Sequence, residues 1–264
     1  MDTNTKKIIP GATHTGPLVS VTMTTYNRAG YIEEAIRSVR AQTYQDWELV
    51  VVDDGSNDDT QARVEAFADT RIRYIRHERN KGIYQTRTDA VTASQGVYIA
   101  VLDSDDVWSD PTKLAAQVAF LEAHPGCAIV GTFIKLIDGT GKEIGQDSYL
   151  TEDAEIRSHI LRRNQFAHSS VLMRRGLVEK VGGYRTVALA EDLDLFLRLG
   201  TVGTFANIPE YMTHYRIHSG GITQRKLAMA QCVHSIIKTY RNQYPGYFPA
   251  LLKSYVRLLL ARVR

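Results

Sequence analysis

Two apolar runs in this chain each end on a cluster of acids. Trp47-Glu-Leu-Val-Val-Val52 runs into Asp53-Asp-Gly-Ser56, and Gly96-Val-Tyr-Ile-Ala-Val-Leu102 runs into Asp103-Ser-Asp-Asp106. A strand that is apolar at nearly every position is buried on both faces, so the sheet that holds it must carry helices on each side. The flanking sequence supplies them. Leu18 to Met23 is a β-rich run, and Tyr31 to Gln42 has Ile32, Ala35, Ile36 and Val39 at helical spacing. Thr60 to Phe67 reads as a short helix, Ile72 to Ile75 as a strand and Gly82 to Ser94 as a helix. Asp110-Pro111 predicts an N-cap and a first-turn proline for a helix carrying Leu114, Val118 and Leu121. Strands alternating with helices imply βαβ units and a mostly parallel central sheet flanked by helices, an α/β fold. Ligands of such sheets sit at the carboxyl ends of strands. That rule singles out Thr24-Thr-Tyr-Asn27, Asp53 to Ser56 and Asp103 to Asp106.

The second half is more mixed. Ala128 to Ile137 and Lys142 to Ile144 flank Asp138-Gly-Thr-Gly141, a hairpin signal. Glu152 to Arg163 predicts a helix, Ser169 to Met173 a strand, and Glu191 to Leu199 a helix with Leu193, Phe196 and Leu197 on one face. Tyr211 to Gly221 reads as strand or loop. Two amphipathic segments then follow, broken at Tyr244-Pro-Gly-Tyr-Phe-Pro249. The expected division is a polar lead-in (1–16), a body (17–221, with halves 17–110 and 111–221) and a helical basic C-terminal extension (222–264).

With 264 residues, 44% of them hydrophobic, disorder and low complexity are excluded as the main state. Two cysteines, Cys127 and Cys232, cannot frame a chain of this size with disulfides and point to a reducing compartment. No stretch approaches the roughly 18 apolar residues of a membrane span, and the N-terminus lacks a secretory core. The expected location is cytoplasmic. Charge is uneven. From Tyr211 to Arg264 there are nine Lys and Arg and no acid, against 23 basic and 29 acidic residues before it. A basic amphipathic tail suggests peripheral contact with an anionic membrane, on its inner face; ordinary packing on the body, or a dimer contact, is the alternative. No recognition motif accompanies the tail, which argues against nucleic acid.

Carboxylates gathered as densely as these repel unless a cation or donor groups compensate them. Magnesium typically takes one or two carboxylates together with substrate phosphates, so a bridging cation turns such a cluster into a diphosphate site. Solvated Asp- and Gly-rich turns are the plainer alternative, favoured for Asp54-Gly-Ser56 and disfavoured for Asp103-Ser-Asp105 at its strand end.

Six segments in order carry a resemblance. They are Val19-Ser-Val-Thr-Met-Thr-Thr-Tyr-Asn27, Ser38-Val-Arg-Ala-Gln-Thr43, Trp47 to Thr60, Asn80-Lys-Gly82, Leu102-Asp-Ser-Asp-Asp106 and Glu191-Asp192. Together they span residues 18 to about 220 and resemble the family 2 glycosyltransferases of the GT-A fold. The resemblance implies an inverting transfer of a sugar from a nucleotide-diphosphate donor, with a UDP-sugar favoured, to a glycan or lipid-linked acceptor in surface polysaccharide or glycoconjugate assembly. It puts Thr24, Thr25 and Tyr26 around the nucleotide, Asp54 on the base, and Asp103 with Ser104 at the ribose. Asp105 would bind Mn²⁺ or Mg²⁺; whether Asp105 or Asp106 is the nearer ligand is open at this point. Lys81 and Arg87 become candidate phosphate contacts. A loop lysine and a solvated arginine are the equal alternative. Asp192 becomes the general base, with Glu191 and Asp194 explicable by the helix dipole alone. His218 is a candidate metal or diphosphate contact, and a plain loop histidine is the alternative. His168 and Glu191 are candidates for the acceptor side, and Trp108 reads as a core residue.

Two rival functions compete with this one. A nucleotidyltransferase or a dehydrogenase on a similar sheet would carry a glycine-rich loop after the first strand, where this chain has Thr24-Thr-Tyr-Asn-Arg-Ala-Gly30. A non-catalytic nucleotide- or glycan-binding module on a degenerate transferase fold would have no need of Asp192.

Overall fold

The computed structural model describes residues 18–187, 189–218 and 226–263; the expected lead-in 1–16 lies outside them. The chain runs β1 (Val19–Thr25), α1 (Ile32–Arg40), β2 (Trp47–Asp53), α2 (Thr60–Glu65), β3 (Ile72–Arg76), α3 (Ile83–Ala93), β4 (Tyr98–Val101), β5 (Val107–Trp108), α4 (Lys113–Ala123), β6 (Cys127–Ile137), β7 (Glu143–Asp147) and α5 (Asp153–His159). A 3₁₀ turn (His168–Ser170), β8 (Leu172–Arg174), α6 (Arg175–Lys180), α7 (Glu191–Leu199), β9 (Thr204–Arg216), α8 (Lys226–Thr239) and α9 (Tyr247–Val263) follow.

One nine-stranded sheet has the order β3-β2-β1-β4-β8-β6-β9-β5, with β7 paired to β6. The first four strands are parallel. From β8 onward antiparallel pairs enter, and β6 with β9 is again parallel. β1, β2 and β4 are buried throughout, as their apolar runs require. On α1 the buried stripe is Ile32, Ala35, Ile36 and Val39, the residues whose spacing marks the helix. Two buried polar groups on the sheet satisfy each other: Ser20 donates to Glu48 at 2.6 Å, and Glu48 also accepts from Arg73 at 3.0 Å.

Three elements differ from expectation. The helix after Pro111 starts at Lys113, and Asp110 caps no helix. Its carboxylate accepts from the Thr112 amide at 2.7 Å and hydroxyl at 2.6 Å, an Asx-type turn. Gln42 donates to the Asp110 carbonyl at 2.9 Å and accepts from the Leu114 amide at 3.0 Å, the amide that a helix begun at Pro111 would bond to Asp110, and the Pro111 carbonyl accepts from the Thr43 amide at 2.8 Å. α5 stops at His159, four residues short of the expected end. Ser169 and Ser170 belong to the 3₁₀ turn and not to a strand, because the Ser169 hydroxyl is drawn to Asp106. Of the segment read as strand or loop, β9 runs to Arg216, and residues 219–221 lie outside the described residues. Trp108 is buried, its indole N–H donating to the Ser169 carbonyl at 2.8 Å.

The tail packs in part. Ile236, Ile237, Tyr240, Tyr244, Tyr247 and Ala250 join the cluster that contains Leu195, Phe196 and Leu199 of α7. The Tyr244 hydroxyl donates to the Leu197 carbonyl at 2.6 Å.

An ion pair far from the strand ends allows a test of the fold's electrostatics. Asp69 accepts from Arg71 at 2.9 Å and Arg40 at 3.3 Å. The hydrogen bond from Arg71 is the main cause that lowers its carboxyl to about 2. Because the folded value lies below the unfolded one, the pair's stabilisation is present above about pH 4 and lost as the pH falls toward about 2. Asp69→Asn should therefore cost about 1 kcal/mol at pH 7 after discounting for the exposed arginines. Urea titrations of both proteins should give that difference at pH 7 and a smaller one at pH 3; a gap that is independent of pH would remove the charge from the explanation.

Candidate active site at the strand carboxyl ends

The turns after β1 and β2 are stitched together. The Asp54 amide donates to the Thr25 carbonyl at 2.9 Å, and the Asn27 amide to the Ser56 hydroxyl at 2.8 Å. Gly55 has φ +80°, and a Cβ there would stand 3.0 Å from the backbone of Arg79, so glycine is required on both counts. Asp54 organises the loop before α3. Its carboxylate accepts from the Lys81 amide at 2.7 Å and the Gly82 amide at 2.9 Å, and lies 2.8 Å from His77 Nδ1. The other nitrogen of His77 lies 2.9 Å from Asp89. Lys81 is exposed, its ammonium 4.0 Å from Asp89. Tyr26 is exposed and Thr24 buried, and the buried Thr25 hydroxyl has no hydrogen-bond partner among the described residues.

The acids after β4 divide by environment. Asp103 faces Arg87 of α3 at 3.2 Å and His168 of the 3₁₀ turn at 3.4 Å. Burial works to raise its carboxyl, but the Arg87 guanidinium and then His168 outweigh it and hold Asp103 well below the usual range. Ser104 is buried. Asp105 lies 3.2 Å from Arg28 and 2.9 Å from His218 Nε2, both at its Oδ2. Asp106 is buried, hydrogen-bonded to the Ser169 hydroxyl and to the Arg216 amide at 2.7 Å. Burial, then the charges of Asp105 and Asp103, push its carboxyl well above the ordinary value. Of the two alternatives for a metal ligand, Asp105 is the one that shares a donor point with an imidazole. Asp106 is committed to the protein interior.

His218 reaches this point because β9 is fastened beside the acidic turn. The buried Arg216 side chain donates to the Asp105 carbonyl at 2.8 Å and to the Asp138 carbonyl at 3.2 Å. It also pairs with Glu34 at 2.5 Å.

Arg87 joins three elements, α3, the end of β4 and α7. It pairs with Asp103 at the end of β4 and with Glu191 in the first turn of α7. It is largely buried, and its charge is reinforced by Asp103 and Glu191 despite the cost of burial. His168 has its second nitrogen 2.7 Å from the Tyr184 hydroxyl, so both ring nitrogens have protein partners. The three acids opening α7 have separate partners. Glu191 takes Arg87, Asp194 takes Arg198 at 2.8 Å, and the half-buried Asp192 accepts from the Asn164 amide at 3.2 Å. Asp192 is the one of the three whose partner is uncharged.

Tyr215 of β9 is partly buried in the field of these acids. Burial raises its phenol, and Asp106, Asp103, Asp105 and Asp192 each add to the rise. The β4 end and the start of α7 are brought together by Arg87, which pairs with Asp103 on one side and Glu191 on the other. Sequence reasoning did not find Tyr215, Arg28, His77, Ser169, Asn164 or Arg216. None of them lies in a spaced motif; only the folded sheet brings them to the acids.

Among the described residues no three His, Cys, Asp or Glu side chains gather into a metal site. Asp105 and His218 present one oxygen and one nitrogen at one point. That pair suits a divalent ion whose other positions are filled by diphosphate oxygens and water.

Comparison with known proteins agrees with this architecture. The family described as Glycosyl transferase family 2 matches residues 20–182. "Putative glycosyltransferase EpsE" of Bacillus subtilis (strain 168) is 33% identical over 191 residues, 70% of this chain and 67% of that protein. "Putative teichuronic acid biosynthesis glycosyltransferase TuaG" of the same organism is 32% identical over 224 residues, 81% of this chain and 85% of that protein. Among solved structures, S. aureus TarS 1-349 in complex with UDP-GlcNAc superposes with a TM-score of 0.74 at 20% identity, covering 90% of this chain and 72% of that one. The mannosyltransferase PcManGT from Pyrobaculum calidifontis, in complex with GDP-Man and Mn²⁺, gives 0.67 at 21%, covering 94% and 76%. At these identities the two structures share the fold with this chain.

Proposed function

The chain belongs to glycosyl transferase family 2 and is a glycosyltransferase of the GT-A fold, and from that premise we propose an inverting enzyme dependent on a divalent metal. It would move a sugar from a UDP-sugar to a hydroxyl of a glycan or lipid-linked acceptor, in the assembly of a surface polysaccharide. A cytoplasmic location belongs to this reading. One observation carries it: Asp105 meets His218 at the end of β4, and Arg87 ties Asp103 there to Glu191, the neighbour of Asp192 in α7.

In this reading residues 17–110 serve the donor and 111–221 the acceptor. Thr24, Thr25 and Tyr26 border the nucleotide, and the unpartnered Thr25 hydroxyl is a group a ligand would satisfy. Asp54 has three of its roughly four acceptor positions occupied by protein, which leaves one for an N–H of the base. Asp103, kept ionised by Arg87, and Ser104 serve the ribose. Lys81 is the exposed cation beside this region, and Arg87 acts by holding Asp103. Asp105 and His218 would hold Mn²⁺ or Mg²⁺, which when bound stabilises the charge of the departing nucleoside diphosphate. Asp192 takes the proton of the acceptor hydroxyl as that oxygen attacks the anomeric carbon on the face opposite the leaving group. Glu191 is spent on Arg87 and does not compete for that role. His168 supports the site from behind Asp103. The UDP-GlcNAc complex of TarS supports the choice of UDP, and the Mn²⁺ and GDP-Man of the mannosyltransferase support the metal and name the competing donor class.

Calorimetric titration of UDP, GDP, dTDP and ADP, each with and without Mn²⁺, tests the reading. The expected result is binding of UDP that requires Mn²⁺, weakened roughly tenfold or more by Asp105→Ala. Metal-independent binding would take the metal role from Asp105, and tighter binding of GDP would replace the donor class. Silence with all four nucleotides would sink the donor site.

A further inference from the structure

Packing uses one side of α9. Tyr247, Ala250 and Ser254 face inward, while Phe248, Leu252, Tyr255, Val256, Leu259 and Leu260 are exposed, by 48% for Val256 up to 72% for Phe248. Their spacing sets them on one stripe along the helix. Scattered exposed apolar side chains are ordinary, but a continuous stripe marks a surface that meets something.

Cations gather along its edge. Lys253 and Arg257 are exposed and one helical turn apart. The charges of Arg257, Arg162 and Arg163 all bear on the Lys253 ammonium, in addition to its partial burial. Arg163 is itself paired with Asp147, and the chain carries no acid after Glu210. The next residue along, Asn164, donates to Asp192. No helix among the described residues is long and apolar enough to cross a membrane.

We propose that α9 docks the protein on an anionic lipid bilayer. The apolar stripe enters the interface while Lys253, Arg257 and Arg162 meet phosphate headgroups. Stripe and charges reinforce one another, since each basic residue near an anionic surface adds to what apolar burial supplies. A second copy of the chain is the poorer occupant, because pairing two such faces brings like charges together.

Flotation of the full chain with phosphatidylglycerol–phosphatidylcholine vesicles, and with phosphatidylcholine vesicles alone, decides the matter at about 0.1 M salt. Binding to the anionic vesicles should exceed binding to the neutral ones by about tenfold or more. Leu252→Gln with Leu259→Gln, and separately Lys253→Gln with Arg257→Gln, should each lower it by about tenfold or more. All these positions are exposed, and unchanged thermal melting would verify that the variants fold. The proposal is overturned if the full chain stays off anionic vesicles, if neutral vesicles bind it as well, or if either double variant binds like the parent. It is also overturned if sedimentation shows a dimer that the Leu252 and Leu259 changes dissociate. Failure of the transferase reading would appear in the nucleotide titrations and leave flotation unaffected.

Discussion

Asp192→Asn should lower kcat by at least about 10²-fold while leaving the donor's affinity unchanged, because a positioned general base contributes typically 10²–10⁴-fold. Asparagine keeps the shape and an oxygen able to accept from Asn164, which is 3.2 Å from the native carboxylate. What it loses is the ability to take a proton. Its neighbours cannot take over, since Glu191 is held by Arg87 and Asp194 by Arg198. The effect should appear equally in kcat and kcat/KM for the acceptor, the pattern of an interaction made only in the transition state. Steady-state kinetics alongside calorimetric donor titration reads both quantities. Full turnover in this variant would remove the base from α7.

Arg87→Met should cost about 3 kcal/mol or more and lower Tm by roughly 6–12 °C. The arginine is largely buried, with 11% of its side chain exposed, and Glu191 is 5% exposed. Methionine fills much of the same volume but leaves Glu191 without its cation and Asp103 with His168 alone. The loss therefore comes from an uncompensated buried charge more than from packing. Adding Glu191→Gln should recover part of it, since the orphaned charge is then gone. Melting of the single and double variants measures this coupling. Additive losses would mean that Arg87 and Glu191 do not act as a pair.

The two variants probe the same space from opposite directions. Arg87 crosses from α3 to α7. Loss of Arg87 should therefore disturb Asp103, which depends on that guanidinium to stay ionised. Asp192→Asn touches no ion pair among the described residues, and its effect should be confined to the chemistry.

Much of this was legible in the residues. The runs 47–52 and 96–102 read as interior strands, since exposing them would leave continuous apolar surface in water, and β2 and β4 are buried throughout. Their terminal acids follow from the same pattern, because the strand end is where the chain leaves the core. α1 and α7 were readable from apolar spacing, and α7 begins and ends where that spacing does. Readings failed where a side chain made a distant bond. Asp110 looks like a helix cap but turns back on Thr112, while Gln42 bonds both the Asp110 carbonyl and the Leu114 amide that a helix would pair. Ser169 looks like the start of a strand and is bonded to Asp106, 63 positions away.

By itself the sequence determined a helix-covered α/β sheet, the acids at its strand ends and the basic amphipathic tail, because hydrophobic period and local charge are properties of neighbours in the chain. Tertiary structure alone decided which acid does what. Asp105 and Asp106 are adjacent and chemically identical, yet one meets His218 while the other is buried against Ser169 and the Arg216 amide. The same holds for Arg87, whose partners lie 16 and 104 positions away. A carboxylate's charge state and reach depend on burial and on the groups packed around it, and those are set only when strands distant in sequence meet in one sheet.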